Sequence, residues 1–323
     1  MEKARFKWVL RERNRKIAAK TEVFTEQQAR RVRSFHSSFK EYSPTPLIEL
    51  TSLAQHLGIK NLFVKDESYR FGLNAFKVLG GSFAIGSYIA NELGEDIDDL
   101  PYMRLVSDEV RSLLGSKTFI TTTDGNHGRG VAWTANRLKQ QAIVYMPQGS
   151  AAERLSNIRA EGAQAEITDM NYDDTVRYTS ELAQKNGWII VQDTAWDGYT
   201  RIPLWIMQGY MTMALEAYEQ LPVKPTHIFL QAGVGSLAGS VQGFFADIYG
   251  SSCPLTFIVE PNGADCLYQT AAANDGSLHS VTGRLETIMA GLACGEPNSI
   301  AWEILGNLSD GFISCPDYTA AQG

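Results

Sequence analysis

The sequence predicts an α/β protein built on parallel sheets, and two features predict it. From about residue 118 onward, short β-rich runs alternate with helical runs of ten or more residues. The turns that lead from strand to helix are rich in Gly, Asn and Asp. Strands separated by helices of that length form βαβ units, whose crossovers are right-handed and whose strands run parallel. Thr118–Thr122, mostly β-branched, reads as a strand, and Gly128–Lys139 as the helix after it. Strand Ala142–Met146, helix Ala151–Glu161, strand Ala165–Thr168, helix Thr175–Asn186 and strand Trp188–Gln192 follow. A longer amphipathic helix near Pro203–Gln220 precedes strand His227–Gln231, a helix from about Ser236 and strand Leu255–Glu260.

Composition sets the outer limits. The chain has 323 residues, 44% hydrophobic and 20% charged, enough for a sizeable core and roughly two domains. Lys and Arg total 29 against 36 Asp and Glu, a net charge of −7, which argues against nucleic acid as a partner because phosphate backbones demand a basic face. No uncharged apolar run approaches the ~18 residues of a membrane span, so no membrane partner is expected. The four cysteines (Cys253, Cys266, Cys294, Cys315) include no CxxC pair and suggest neither a disulfide framework nor a metal site. A cytoplasmic enzyme is the expectation. Residues 1–20 carry eight basic residues without an apolar stretch. They are expected to form a solvated, helical or frayed leader rather than a signal peptide or a nucleic-acid arm.

In such folds ligands sit beyond the carboxyl ends of the strands. Three loops and one upstream segment carry candidate chemistry. Upstream, Lys77 lies among apolar and small residues with Gly80 and Gly81 behind it. A partly desolvated lysine is a usable amine nucleophile for a Schiff base, although on this segment alone a snorkelling helix lysine is the commoner case. Thr121–Gly130 places Asp124, Asn126 and His127 between glycines at a helix start, where N–H groups and positive potential face a ligand. Plain N-capping accounts for fewer of these residues, and His127 is the least secure of them. Gln231–Gly239 offers the backbone of Gly233, Val234, Gly235, Ser236 and Leu237 as a phosphate cradle. The same turn resembles a dinucleotide fingerprint, with Glu260 as the ribose acid, but its spacing is G-x-G-x-x-x-G rather than G-x-G-x-x-G. Gln192–Tyr199 ends a strand in Asp193, Trp196 and Asp197, which suits acid–base work and Asx turns alike.

A lysine, a Gly/Asn loop and a phosphate cradle together resemble the fold-type II pyridoxal-phosphate enzymes, the tryptophan synthase β-like group. More narrowly, Asn74–Gly81, Thr121–Gly130, Asp169–Thr175, Gln192–Tyr199 and Met289–Pro297 resemble the diaminopropionate ammonia-lyase family, from about Tyr42 to the last residue. The resemblance implies two parallel-sheet α/β domains: residues 1–75 plus 200–323 as the larger, phosphate-binding one, and 76–199 as the smaller one carrying the lysine. It implies that Lys77 holds pyridoxal 5'-phosphate as a Schiff base and takes the α-proton of an L-substrate. Asn126 would bond the cofactor's ring hydroxyl, and residues 233–237 its phosphate. Asp124 would take the α-proton of a D-substrate, and Asp193 would recognise or protonate the departing amine. The implied reaction is α,β-elimination of 2,3-diaminopropionate to pyruvate and two ammonia, in a homodimer.

Enzymes of this group continue beyond the equivalent of Gly323, so a chain lacking its C-terminal part is expected. Cys266 and Cys294 are expected as buried thiols more than as a regulatory disulfide. A serine or threonine dehydratase is the nearest alternative, and a nicotinamide-dependent oxidoreductase using the Gly233–Gly239 turn and Glu260 a more distant one. Asp124 favours the diamine substrate, since an acid suits an ammonium-bearing side chain better than a hydroxyl.

Overall fold

A computed structural model describes residues 5–12, 21–123 and 125–322. Ten strands are present among them: β1 (Lys7–Leu10), β2 (Leu47–Glu49), β3 (Phe63–Lys65), β4 (Thr118–Thr122), β5 (Gln141–Met146), β6 (Gln164–Ile167), β7 (Ile189–Ile190), β8 (His227–Gln231), β9 (Leu255–Pro261) and β10 (Gly311–Cys315). They form a four-stranded sheet ordered β6-β5-β4-β7, a second ordered β1-β10-β9-β8, and a β2-β3 pair. The first sheet is parallel throughout, and so is the second apart from β1. The α/β, parallel-sheet expectation is met, and the predicted strands at 118–122 and 227–231 match residue for residue.

Strand order in the first sheet locates the crevice. The chain steps outward from β4 through β5 to β6, then returns to add β7 on the other side of β4. The loops after β4 and β7 therefore diverge to opposite sides of one strand boundary, a topological switch point, which is where open α/β sheets bind ligands. The turn after β4 leads from Thr123 into helix Asn126–Arg137, whose first turn carries Asn126 and His127, and the loop after β7 carries Gln192–Tyr199.

Helix Lys77–Leu93 is buried over most of its length and packs between helix Asn126–Arg137 and helix Arg201–Gln220. Glycine makes this closeness possible. A Cβ at Gly209 would stand 2.4 Å from Leu79 O and 2.7 Å from Gly80 Cα, and one at Gly130 would stand 2.9 Å from Val78 Cα. Backbone cannot yield as a side-chain tip can, so Gly209→Ala must separate two helices. Overpacking of this kind costs ~1–3 kcal/mol. The variant is expected to lose at least that much in denaturant unfolding, and an unchanged midpoint would show that the crossing is loose.

The segment leading to Lys77 is anchored by a buried ionic cluster. Arg70 is fully buried, with Nη2 2.7 Å from Glu216 Oε2 and Nε 2.8 Å from Glu67 Oε2, and Lys65 Nζ joins Glu216 Oε2 at 2.7 Å. Burial alone would raise the Glu216 carboxyl, but the Arg70 and Lys65 contacts hold it down to about 2. Buried charges survive only when so paired.

Several boundaries depart from expectation, among them the helix expected from Thr175, which begins at Tyr172. The basic leader is not frayed at 7–10: β1 pairs antiparallel with β10, Lys7 opposite Ser314 and Leu10 opposite Gly311. Edge backbone groups of β10 need partners, and that need overrides the local charge; residues 1–4 and 13–20 lie outside the described residues. The helix expected from Gly128 begins at Asn126. The strand expected at 188–192 shortens to Ile189–Ile190, because Tyr199 Oη bonds Ile190 O at 3.0 Å and accepts from Gln192 N at 2.8 Å.

Candidate active site

Lys77 opens its helix with a side chain only 19% exposed, and Nζ donates to Asp193 Oδ2 at 2.8 Å. A snorkelling lysine would reach water, and this one turns inward to a buried carboxylate. Asp193 is 5% exposed, just beyond the carboxyl end of β7. His127 is buried, and its Nε2 lies 2.7 Å from Val191 O. A carbonyl can only accept, so Nε2 carries a proton and Nδ1 faces the site, 4.0 Å from Asp193 Oδ2. Burial pushes the Asp193 carboxyl up, but the Lys77 and His127 charges prevail and hold it at about 2.

The glycine turn follows β8 and opens helix Ser236–Tyr249. Gly235 has φ +100°, a left-handed backbone that suits glycine, and the turn aims N–H groups at the helix N-terminus. Ser236 Oγ donates to the Asp193 carbonyl at 2.5 Å, so the cradle and the partner of Lys77 are joined directly. Asn298 supports both ends: its N–H donates to Val234 O at 2.8 Å and its Nδ2 to Ser236 Oγ at 2.8 Å. A cleft of about 230 Å³ adjoins this assembly, lined among others by Thr194, Trp196, Val234, Asp173 and Glu296. Burial and then Glu296 push the Asp173 carboxyl up against the opposing charge of Arg177, which also lines the cleft.

The structure thus brings Lys77, Asp193, His127 and Ser236 together. Asn126 is exposed at the first turn of its helix, and Asp124 lies outside the described residues. Glu260 does not serve as a ribose acid. It is fully buried and accepts from Leu267 N at 2.9 Å and Tyr268 N at 2.7 Å, capping helix Cys266–Ala273. Burial pushes its carboxyl well up, and a group so engaged has no reach toward a ligand on the turn. Gly239, the last glycine of that turn, packs on Ala301 (a Cβ there would meet Ala301 Cα at 3.0 Å). Cys266 and Cys294 are not in a disulfide. Cys266 Sγ donates to Gly233 O at 3.8 Å, and burial raises its thiol well above the ordinary value. Among the described residues no cluster suits a metal, and no helix is long and apolar enough to cross a membrane.

Sequence reasoning missed Asn298 and Tyr210. Tyr210 is 1% exposed, its Oη has no hydrogen-bond partner among the described residues, and Asp193 and Lys77 act on it electrostatically. No local pattern marks either residue, since both acquire their role through contacts made across long stretches of chain.

Residues 39–323 match the family model described as pyridoxal-phosphate dependent enzyme. Diaminopropionate ammonia-lyase of Salmonella typhimurium is 53% identical over 296 residues, covering 90% of this chain and 73% of that protein. The crystal structure of selenomethionine-incorporated holo diaminopropionate ammonia lyase from Escherichia coli superposes with a TM-score of 0.90 at 49% identity, covering 99% of this chain and 79% of that one. The Escherichia coli enzyme in complex with an aminoacrylate-PLP azomethine reaction intermediate gives 0.88 at the same identity and coverage. With its lysine, buried acid and glycine cradle in one crevice, the chain belongs to the pyridoxal-phosphate dependent enzymes and, among them, to the diaminopropionate ammonia-lyase family.

Proposed function

We propose that this chain catalyses the pyridoxal-phosphate-dependent α,β-elimination of 2,3-diaminopropionate to pyruvate and two ammonia. The observation that carries the reading is the chain of contacts Lys77 Nζ–Asp193 Oδ2 (2.8 Å) and Asp193 O–Ser236 Oγ (2.5 Å), which joins an inward amine to an anion cradle. The residues fit the cofactor: a phosphate suits the N–H groups and hydroxyl of 233–237, an aldehyde suits the Lys77 amine, and the orphaned Tyr210 Oη awaits a polar partner. When bound, pyridoxal phosphate supplies a conjugated electron sink for negative charge at the substrate's Cα.

The protein's part is to hold and move protons. In this reading Lys77 takes the α-proton of the L-substrate, and Asp124 that of the D-substrate from the opposite face. Asn126 bonds the ring hydroxyl. Asp193 faces the amine that leaves from Cβ: the Lys77 charge keeps its carboxyl low, and once that charge is withdrawn burial, opposed by His127, moves it toward the protonated acid. The cleft acids Asp173 and Glu296, two carboxylates against the single Arg177 guanidinium, support a substrate bearing a second ammonium. Residues 1–75 with 200–323, and 76–199, are read as two domains, a division supported by the two four-stranded sheets. The reading includes a cytoplasmic homodimer acting on a small amino acid, and the net charge of −7 weighs against nucleic acid.

The test is stoichiometry. Diaminopropionate must yield two ammonia per pyruvate, whereas serine yields one, and kcat/KM is expected to be at least ~10-fold higher for the diamine, the discrimination a site gains from pairing a substrate's polar group. A preference for serine or threonine would make the enzyme a dehydratase.

A further inference from the structure

Asn298 is fully buried, 62 residues from Ser236 in sequence, and touches the cradle twice. Its carbonyl Oδ1 accepts from Ile300 N at 2.9 Å and Ala301 N at 3.3 Å, capping helix Ser299–Leu308. That cap settles the amide's orientation. Exchanging oxygen and nitrogen would set an NH2 group against two N–H donors, so Nδ2 must face Ser236 Oγ, 2.8 Å away.

A serine hydroxyl has one proton to give. With Nδ2–H occupying the acceptor side of Oγ, the Ser236 proton is committed to some other acceptor. In this structure that acceptor is the Asp193 carbonyl at 2.5 Å. Ser236 is 4% exposed, so water cannot readily reset the arrangement. The hydroxyl is therefore pinned between Asn298 and the Asp193 carbonyl at the first position of helix Ser236–Tyr249, which fixes the backbone of the cradle beside a helix N-terminus that attracts anions.

We propose that Asn298 is a positioning residue for the cofactor's phosphate: its Nδ2 holds the Ser236 hydroxyl on the Asp193 carbonyl and its N–H ties down Val234 O, so that the backbone N–H groups of 233–237 keep their aim at the phosphate. This rests on the pyridoxal-phosphate reading above. Asn298→Asp is the incisive variant. One carboxylate oxygen keeps the helix cap, while the other can only accept, so it competes with the Asp193 carbonyl for the Ser236 proton, loosens that tie and adds a negative charge beside the cradle. Asn298→Ser also keeps a cap and simply removes the second donor.

The experiment titrates cofactor-depleted protein with pyridoxal phosphate and, separately, with pyridoxal, which lacks the phosphate. The readout is the visible absorption band and borohydride-trapped mass on the Lys77 peptide. Hydrogen bonds to charged groups are worth roughly 10- to 100-fold in affinity. Pyridoxal phosphate affinity is expected to fall about 100-fold in Asn298→Asp and about 10-fold in Asn298→Ser, while pyridoxal affinity stays within about 3-fold of the parent protein. In a Ser236→Ala background, Asn298→Ser is expected to cause little further loss, because the pair acts as a unit. Equal loss of both aldehydes would mean that Asn298 serves folding alone, and unchanged phosphate dependence would mean that it does not orient Ser236. Either result overturns the proposal. If Asn298→Asp does not fold, Asn298→Ser decides by the same comparison. If the parent protein forms no Lys77 adduct with either aldehyde, the cofactor reading itself fails, and this proposal falls with it.

Discussion

Alanine in place of Lys77 is expected to stop pyruvate formation, by at least ~10⁴-fold in kcat, because one residue supplies both the covalent nucleophile and an acid–base group. The same change is expected to weaken how stability depends on pH. In the parent protein the Asp193 carboxyl lies at about 2, below its ordinary 3.8. A depressed carboxyl contributes stability above its unfolded pKa and loses it as pH falls through the folded one, so the Lys77–Asp193 pair should weaken between about pH 4 and pH 2. Without the Lys77 charge and hydrogen bond, burial is the largest remaining influence on Asp193, opposed by His127, so the carboxyl moves up from about 2. The further it moves up, the smaller the stability that its ionised form contributes at neutral pH. Cofactor-depleted Lys77→Ala should therefore lose melting temperature relative to the parent at pH 7 and recover part of it near pH 4. Parallel melting curves across that range would show that Lys77 does not control Asp193.

Much of this crevice was legible in the sequence, for physical reasons that can be named. Strands such as Thr118–Thr122 are buried on nearly every residue and so carry a continuous β-rich signal, and Gly-rich turns stand out wherever backbone must approach a ligand. Lys77 was readable as a nucleophile only beside the other segments, since one lysine among apolar residues has a commoner, surface explanation. Its pairing with Asp193 depends on β7 lying next to β4, a strand order that no local pattern encodes. Glu260 misled for a related reason. The end of a parallel strand suits a ribose acid and a helix cap equally, and only the two N–H groups of Leu267 and Tyr268 decide for the cap. The Lys7–Leu10 strand was hidden by the basic residues around it, because its pairing is set by an edge on β10 more than three hundred residues away. Asn298 and Tyr210 were invisible because their chemistry is ordinary and only their company is not.

Asp193→Asn separates the two things Asp193 can do. The change is nearly isosteric and leaves the Asp193 carbonyl to accept from Ser236 Oγ, so the cradle persists and cofactor affinity is expected to change less than ~10-fold, about one hydrogen bond's worth. What disappears is a buried group able to carry a proton beside the amine that leaves. Loss of a positioned acid typically costs ~10²–10⁴-fold, and kcat for diaminopropionate is expected to fall within that range. The leaving group provides the control. An amine must depart protonated, whereas chloride leaves as the stable anion and needs no proton. β-Chloroalanine turnover should therefore fall less than ~10-fold in Asp193→Asn, since only the help of an acid is lost. If both substrates lose activity equally, Asp193 acts by placing Lys77 for the step at Cα, which the two substrates share. If only the diamine suffers, the proton given at Cβ comes from Asp193, and the ion pair with Lys77 is what keeps that proton away until the lysine's charge is gone.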